Sequence, residues 1–281
     1  MGLTGSVGAA TEDARTRHVR LQGAFNVRDL GGLATTTGAV VRPRTLLRGD
    51  ALHALHDADV EWLAGIGLRT VVDLREHDER RAAPDRVWEG LRAVNVPLFG
   101  AGDGATPSDR ASGEAPGGAT PGTRPGRARR LGEVYAGLLE RRGDAVVEAV
   151  RALAEPDALP AIVHCTMGKD RTGIVVAMLL SAIGVPEETV VRDYSATSWF
   201  LTTDVRSALV ARAMTGSVGP MGGLGPEDLA PMLACGPELM GELLANVRAS
   251  HGDARGYLVD HGLRGPELSR LAGALLVVPG G

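Results

Sequence analysis

Cys165 lies in the run His164-Cys165-Thr166-Met167-Gly168-Lys169-Asp170-Arg171-Thr172-Gly173, with five residues between it and an Arg-Thr pair. A thiolate is a strong nucleophile toward phosphorus, and a guanidinium can fork two N–H bonds onto two phosphate oxygens in a planar geometry that lysine does not reproduce. Thr172 carries a hydroxyl able to donate to the sulfur as a phosphocysteine breaks down. His164 suits orienting the loop through hydrogen bonds rather than acting as a base, and Thr166, Met167, Gly168 and Lys169 fall where the loop would line an anion. These residue types at this spacing suit cleavage of a phosphate monoester. Expelling the leaving alkoxide needs a proton donor near it. The acids on offer are Asp170 in the loop, Asp103 and Asp109 in a glycine-rich stretch, and Asp73, which ends an apolar run and reads as a backbone anchor. Lys169 is the only lysine among thirty basic residues; it reads as a compact charge at the pocket edge that favours a substrate with a second anionic group.

Such a loop has to be held between rigid elements. Leu159 to Val163 is a short apolar run that suits a buried strand, and Thr172 to Ile183 is apolar at near-continuous spacing, as a buried helix would be. The loop therefore ends at a helix N-terminus, where free N–H groups and the positive end of the dipole favour a bound anion and a thiolate. Gly168-Lys169 does not make a nucleotide-binding loop, because the first glycine of G-x-x-x-x-G-K-[ST] is missing and Asp170 follows the lysine. A rhodanese-type sulfur transferase also uses a loop cysteine, but the Arg-Thr pair at a helix start fits phosphate better. A phosphate-binding module that has lost turnover is the other reading; Cys165, Arg171 and Thr172 together favour turnover.

Around the loop, residues 1–20 are polar and glycine-rich, and Leu21 to Leu47 mixes short apolar runs with turn glycines. Asp57 to Gly65 reads as a helix, Thr70 to Leu74 as a buried strand, Glu76 to Ala83 as a solvated charged helix, and Arg92 to Leu98 as another strand. Alternating strands and helices predict an α/β layer architecture. Residues 100–130 carry no large apolar side chain, which predicts a flexible insert. Leu131 to Leu153 reads as helix with a break at Gly143, and Glu187 to Thr197 as a helix leading to Trp199-Phe200 in the core or a pocket wall. Residues 215–248 hold a glycine-rich stretch, with Gly222, Gly223 and Gly225, followed by Leu- and Met-rich helices. We expect one domain over residues 21–281 behind a flexible N-terminus.

The 281 residues are 44% hydrophobic, with a net charge of −4 and a pI near 6.0, which argues against nucleic acid as a partner. No apolar stretch approaches the roughly 18 residues of a membrane span. Met1 to Arg20 shows neither the basic start nor the apolar core of an ordinary signal peptide. With two cysteines only, a disulfide framework is excluded and a catalytic thiolate calls for a reducing compartment. We therefore expect a cytoplasmic protein, leaving room for unconventional export, and arginine in place of lysine suggests a GC-rich bacterial genome. The histidines are scattered, so a mechanism without metal or other cofactor suffices.

The loop resembles that of the bacterial tyrosine phosphatases of the atypical, lipid-phosphatase-like group. Phe25-Asn26-Val27-Arg28-Asp29-Leu30-Gly31-Gly32 looks like that family's N-terminal signature, followed by Leu46-Leu47-Arg48 and Val71-Val72-Asp73-Leu74-Arg75. Gly256-Tyr257-Leu258 and Gly262-Leu263 are similar to its closing helices, so the likeness runs from about residue 20 to 277. Gly49, where the family tends to have serine, and Val27, in place of an aromatic, depart from the pattern. The resemblance implies a phosphotyrosine-phosphatase-like central sheet flanked by helices, with a mobile helical lid over the site formed from 215–248. It implies Cys165 as nucleophile, Arg171 as phosphate grip and Asp170 as the acid, with Asn26, Asp29, Arg48 and Asp73 in supporting places. It also implies phosphorylated proteins as substrates, on tyrosine and on serine or threonine, together with phosphoinositides.

Overall fold

The computed structural model describes residues 14–99, 127–202, 205 and 235–278, with backbone alone for 127–130. Among these, Arg28–Asp29 (β1), Val40–Val41 (β2), Leu46–Gly49 (β3), Thr70–Asp73 (β4), Arg92–Asn95 (β5), Ala161–His164 (β6) and Leu276–Val277 (β7) form strands. The helices are Asp57–Gly65 (α1), His77–Ala82 (α2), Arg127–Arg141 (α3), Gly143–Ala154 (α4), Asp170–Ala182 (α5), Glu187–Ser195 (α6), Thr197–Phe200 (α7), Pro237–His251 (α8), Ala254–Asp260 (α9) and Gly265–Leu275 (α10). Five strands make a mixed sheet in the order β1-β3-β6-β4-β5, and β2 pairs with β7 apart from it.

β3, β6, β4 and β5 run parallel, and β1 closes one edge antiparallel to β3. The side-chain alternation of the central strands divides the molecule. Leu46, Val72, Ala161 and Val163 point into the larger core with α4, α5, α8, α9 and α10, while Leu47, Val71 and Ile162 point to a smaller core with Leu55, Leu63 and Leu68. Covering on both faces explains why these strands are continuous apolar runs rather than half-polar ones. The departures at Val27 and Gly49 meet there: a Cβ on Gly49 would lie 2.8 Å from Val27 Cγ2.

Register places the functional ends together. Gly49 and Asp73 both align with His164, so the chain leaves β3, β4 and β6 at one edge of the sheet, where the crevice beyond the carboxyl ends of parallel strands holds ligands. Three segments converge there: Asp50-Ala51, Leu74 to Glu79, and Cys165 to Lys169.

The helix expected through Leu153 breaks one residue early, at Arg142, and Gly143 opens α4. The strand expected over Arg92 to Leu98 stops at Asn95. Trp199 is half-exposed while Phe200 is buried. The proposed insert up to residue 126 and the glycine-rich stretch of residues 215–234, with Asp103, Asp109, Gly222, Gly223 and Gly225, lie outside the described residues.

Candidate active site

The loop from Cys165 to Lys169 joins the central strand β6 to α5, and its carbonyls are tied outward. Ala51 N donates to Thr166 O at 3.3 Å, Asn26 Nδ2 to Met167 O at 2.8 Å, and Arg48 Nη2 to Gly168 O at 2.9 Å. A planar peptide with its C=O fixed outward turns the following N–H inward. The N–H groups of Thr166, Met167, Gly168 and Lys169 donate to no backbone carbonyl among the described residues. They form a concavity of backbone donors at the N-terminus of α5, an arrangement suited to an anion. Gly168 is required: its φ is +66°, and a Cβ would lie 2.4 Å from Gly49 O.

The outward ties rest on a buried ionic hub. Asp193 on α6 pairs with Arg17 at 2.9 Å, Arg28 at 3.2 Å and Arg48 at 2.8 Å. Burial opposes its charge, but the arginines, Arg28 first, hold the carboxyl far below the usual carboxylate range. Arg28 also donates to Asn26 Oδ1 at 2.6 Å, so the arginine that grips Asp193 orients the amide that grips the loop. Asp50 accepts the N–H groups of Phe25 and Asn26, which fixes the signature segment against the end of β3. Arg48-Gly49-Asp50, a cell-adhesion tripeptide by letters only, is therefore buried framework. Asp29 does not reach the loop; its carboxylate takes the N–H groups of Gly31 and Arg44, both at 2.8 Å.

Beneath Cys165, the His164 ring has Nδ1 3.1 Å from Cys165 O and Nε2 3.0 Å from Asp85 Oδ2. Both nitrogens face acceptors; burial opposes the charge, but Asp85 raises the proton affinity of the ring above its ordinary value. Asp73, Asp85 and His164 together have the spacing of cation ligands. Arg75 already fills that place, with Nε 2.9 Å from Asp73 and Nη2 2.8 Å from Asp85.

Arg171 is buried, and Glu79 on α2 takes one edge of its guanidinium, with Nη1–Oε2 at 2.5 Å and Nη2–Oε1 at 2.8 Å. Thr166 Oγ1 also donates to Glu79. Burial opposes ionisation of Glu79, yet the hydrogen bonds and charge of Arg171 pull its carboxyl down to about 2. Burial likewise opposes the charge on Arg171, and Glu79, then the charge of Cys165, hold it well above its ordinary value. The Arg171 Nε has no hydrogen-bond partner among the described residues, which leaves that edge for a ligand. α2 is thus not the wholly solvated helix its composition suggests, because Glu79 turns inward to the loop.

One loop residue differs from expectation. Lys169 is not at the pocket edge: it is 1% exposed, with Nζ 3.0 Å from Asp170 Oδ1. Burial disfavours its charge, but Asp170 raises its proton affinity above the ordinary lysine range. The Thr172 hydroxyl is buried and has no hydrogen-bond partner among the described residues. Asp170 also accepts from Tyr135 Oη on α3.

Sequence reasoning missed Glu79, Asp85, Asp193 and Tyr135. Asp193 had a signal: Val190, Asp193, Tyr194 and Thr197 follow helical spacing on one face and are all buried, so an acid stands inside an apolar stripe.

A mostly parallel sheet with a cysteine loop leading from its central strand into a buried helix, closed on an arginine in the first turn, is the architecture of a phosphate-ester hydrolase. Residues 19–277 match the model described as "Tyrosine phosphatase family", and the chain belongs to that family of protein-tyrosine phosphatases. It is 29% identical over 280 residues to the triple specificity protein phosphatase PtpB of Mycobacterium tuberculosis, covering 91% of this chain and 98% of that one. It is 30% identical to a provisionally named tyrosine-protein phosphatase of Cupriavidus necator, over 84% of this chain and 80% of the other. A tyrosine-protein phosphatase of Nostoc commune is 27% identical over 78% of this chain and 70% of its own length. Among the described residues, no helix is long and apolar enough to cross a membrane.

Proposed function

We propose that the protein hydrolyses phosphomonoesters, phosphotyrosine in proteins first, through a phosphocysteine intermediate on Cys165. The observation that carries this reading is the outward tie of the loop carbonyls, which aims a set of N–H donors at a point next to a buried cysteine and the open edge of Arg171.

In the first step the Cys165 thiolate attacks phosphorus; an S–P bond forms, the P–O bond to the leaving group breaks, and Asp170 gives that oxygen its proton. The loop N–H groups and the Arg171 Nε edge hold the three equatorial oxygens, where charge moves during transfer. In the second step water attacks phosphorus, Asp170 takes the water proton, the S–P bond breaks and the thiolate leaves with phosphate. The unpartnered Thr172 hydroxyl suits donation to the sulfur at that moment. The buried position of Lys169 withdraws one reason for expecting lipid substrates. Phosphoserine, phosphothreonine and phosphoinositide activity is therefore proposed on family resemblance and on the name of the mycobacterial relative. A reducing, cytoplasmic setting fits two free buried cysteines.

The test is Cys165→Ser with a panel of phosphotyrosyl, phosphoseryl and inositol-lipid substrates. Hydrolysis is expected to fall at least about 10³-fold while phosphate binding persists, because the hydroxyl is a poor nucleophile in an intact cradle. Substantial turnover by the variant overturns the phosphocysteine mechanism; loss of phosphate binding overturns the cradle.

A further inference from the structure

We propose that Tyr135, backed by Tyr194, is a positioning residue for the proton donor: it anchors one oxygen of Asp170 and reserves the other for the transferred proton. The inference rests on the reading of Asp170 as the acid.

Asp170 Oδ1 accepts from both Tyr135 Oη and Lys169 Nζ, whereas Oδ2 has no hydrogen-bond partner among the described residues. Two donors on one oxygen fix the rotation of the carboxyl and leave Oδ2 as the site for a proton. The Asp170 side chain keeps 28% exposure, so exchange with a leaving oxygen or water is open to it. The phenols come from separate helices, Tyr135 from α3 and Tyr194 from α6, with hydroxyls 2.9 Å apart and rings edge to face at 6.5 Å. Because the Tyr135 proton goes to Asp170, its oxygen accepts from Tyr194. The result is a chain from Tyr194 through Tyr135 to Asp170, in which each donation polarises the next. Burial, with the charge of Asp170 behind it, pushes the ionisation of Tyr135 far above the phenol range, and burial does the same for Tyr194. Both remain protonated donors at any working pH.

The first turn of α5 is shaped for this arrangement. A Cβ on Gly173 would lie 2.8 Å from Tyr194 Cδ2, so the glycine after Thr172 admits the ring that supports Tyr135. A pair of phenols makes one hydrogen bond between its hydroxyls and leaves one proton over; here that proton is directed at the loop carboxylate.

The experiment compares kcat/KM on phenyl phosphate, whose leaving group needs protonation, with kcat/KM on p-nitrophenyl phosphate, whose leaving group does not. Tyr135→Phe, Tyr194→Phe and Asp170→Asn are compared with the parent, with thermal unfolding followed for each. Tyr135→Phe is expected to slow phenyl phosphate roughly 10-fold more than p-nitrophenyl phosphate. Tyr194→Phe is expected to act the same way by less. Loss of packing alone would slow both esters alike. Should Tyr135→Phe fail to fold, Tyr194→Phe decides, since it leaves Tyr135 in position. Equal slowing of both esters in the folded tyrosine variants overturns the inference while the acid assignment stands, provided Asp170→Asn slows phenyl phosphate selectively. Equal slowing of both esters by Asp170→Asn overturns the acid assignment and the inference with it.

Discussion

Glu79 is the residue whose replacement tests the geometry of the cradle most directly. Glu79→Gln keeps the shape and one acceptor but removes the charge opposite Arg171. The fall of the carboxyl from 4.5 to about 2 corresponds to about 3 kcal/mol between its two protonation states. Its side chain is 16% exposed, so solvent screens little of that. A depressed carboxylate contributes stability that is present above its unfolded value and lost as pH falls through its folded value. At neutral pH the variant is therefore expected to lose about 2–3 kcal/mol of unfolding free energy in urea. The gap to the parent is expected to narrow as the pH falls from 4.5 toward 2, where the parent also loses the ion pair. In kinetics, freeing the guanidinium from its fixed edge should lower kcat/KM on an aryl phosphate roughly 10- to 100-fold. A stability difference that does not change with pH would refute the electrostatic argument. Faster turnover with tighter phosphate inhibition would refute the positioning role and show that Glu79 competes with substrate for Arg171.

Lys169→Met removes an ammonium that is buried against Asp170, so losses on a small aryl phosphate and on a multiply phosphorylated inositol lipid are expected to be equal; a selective loss on the lipid, shrinking at high salt, would return Lys169 to the pocket edge. Asp193→Asn removes the carboxylate that Arg17, Arg28 and Arg48 share, and about 3–5 kcal/mol of stability should go with it in thermal or urea unfolding. A near-neutral Asp193→Asn would mean that the hub does not brace the loop.

What could be read in the chain was what neighbours in sequence determine. The loop from Cys165 to Arg171 is contiguous, its strand and helix flank it directly, and the apolar runs Thr70 to Leu74 and Leu159 to Val163 declared the buried strands that form at Thr70–Asp73 and Ala161–His164. The signature at Asn26 and Arg48 was legible as a segment, through resemblance, but its work was not: only the folded chain shows those side chains taking the carbonyls of Met167 and Gly168. The partners of the loop side chains come from far along the chain. Glu79 is 92 residues from Arg171, Asp193 is 145 from Arg48, and Tyr135 is 35 from Asp170. In sequence, each sits in a context with a bland explanation. Glu79 stands in a run of charges that suits a solvated helix, and Tyr135 in an apolar stripe that suits core.

Lys169 was misplaced for the same reason in reverse. A lone lysine in a phosphate loop invites a role at the ligand, because charge is normally kept at the surface unless it is paired. Its pairing with Asp170 is adjacent in sequence, but whether two neighbouring charges face each other or face solvent depends on what covers them. Here Tyr135, backed by Tyr194, covers the Asp170 carboxylate and makes it the acceptor for ammonium and phenol together. That covering converts a residue expected to choose substrates into one that holds the acid. It also means that the loop's two kinds of charge have separate partners. The guanidinium of Arg171 is braced by Glu79 from α2, and the carboxylate of Asp170 is braced by Lys169 of the loop and Tyr135 of α3. A change on one side should therefore alter the grip on phosphate, and a change on the other should alter proton delivery. The two sets of variants should separate in kinetics by their dependence on leaving group.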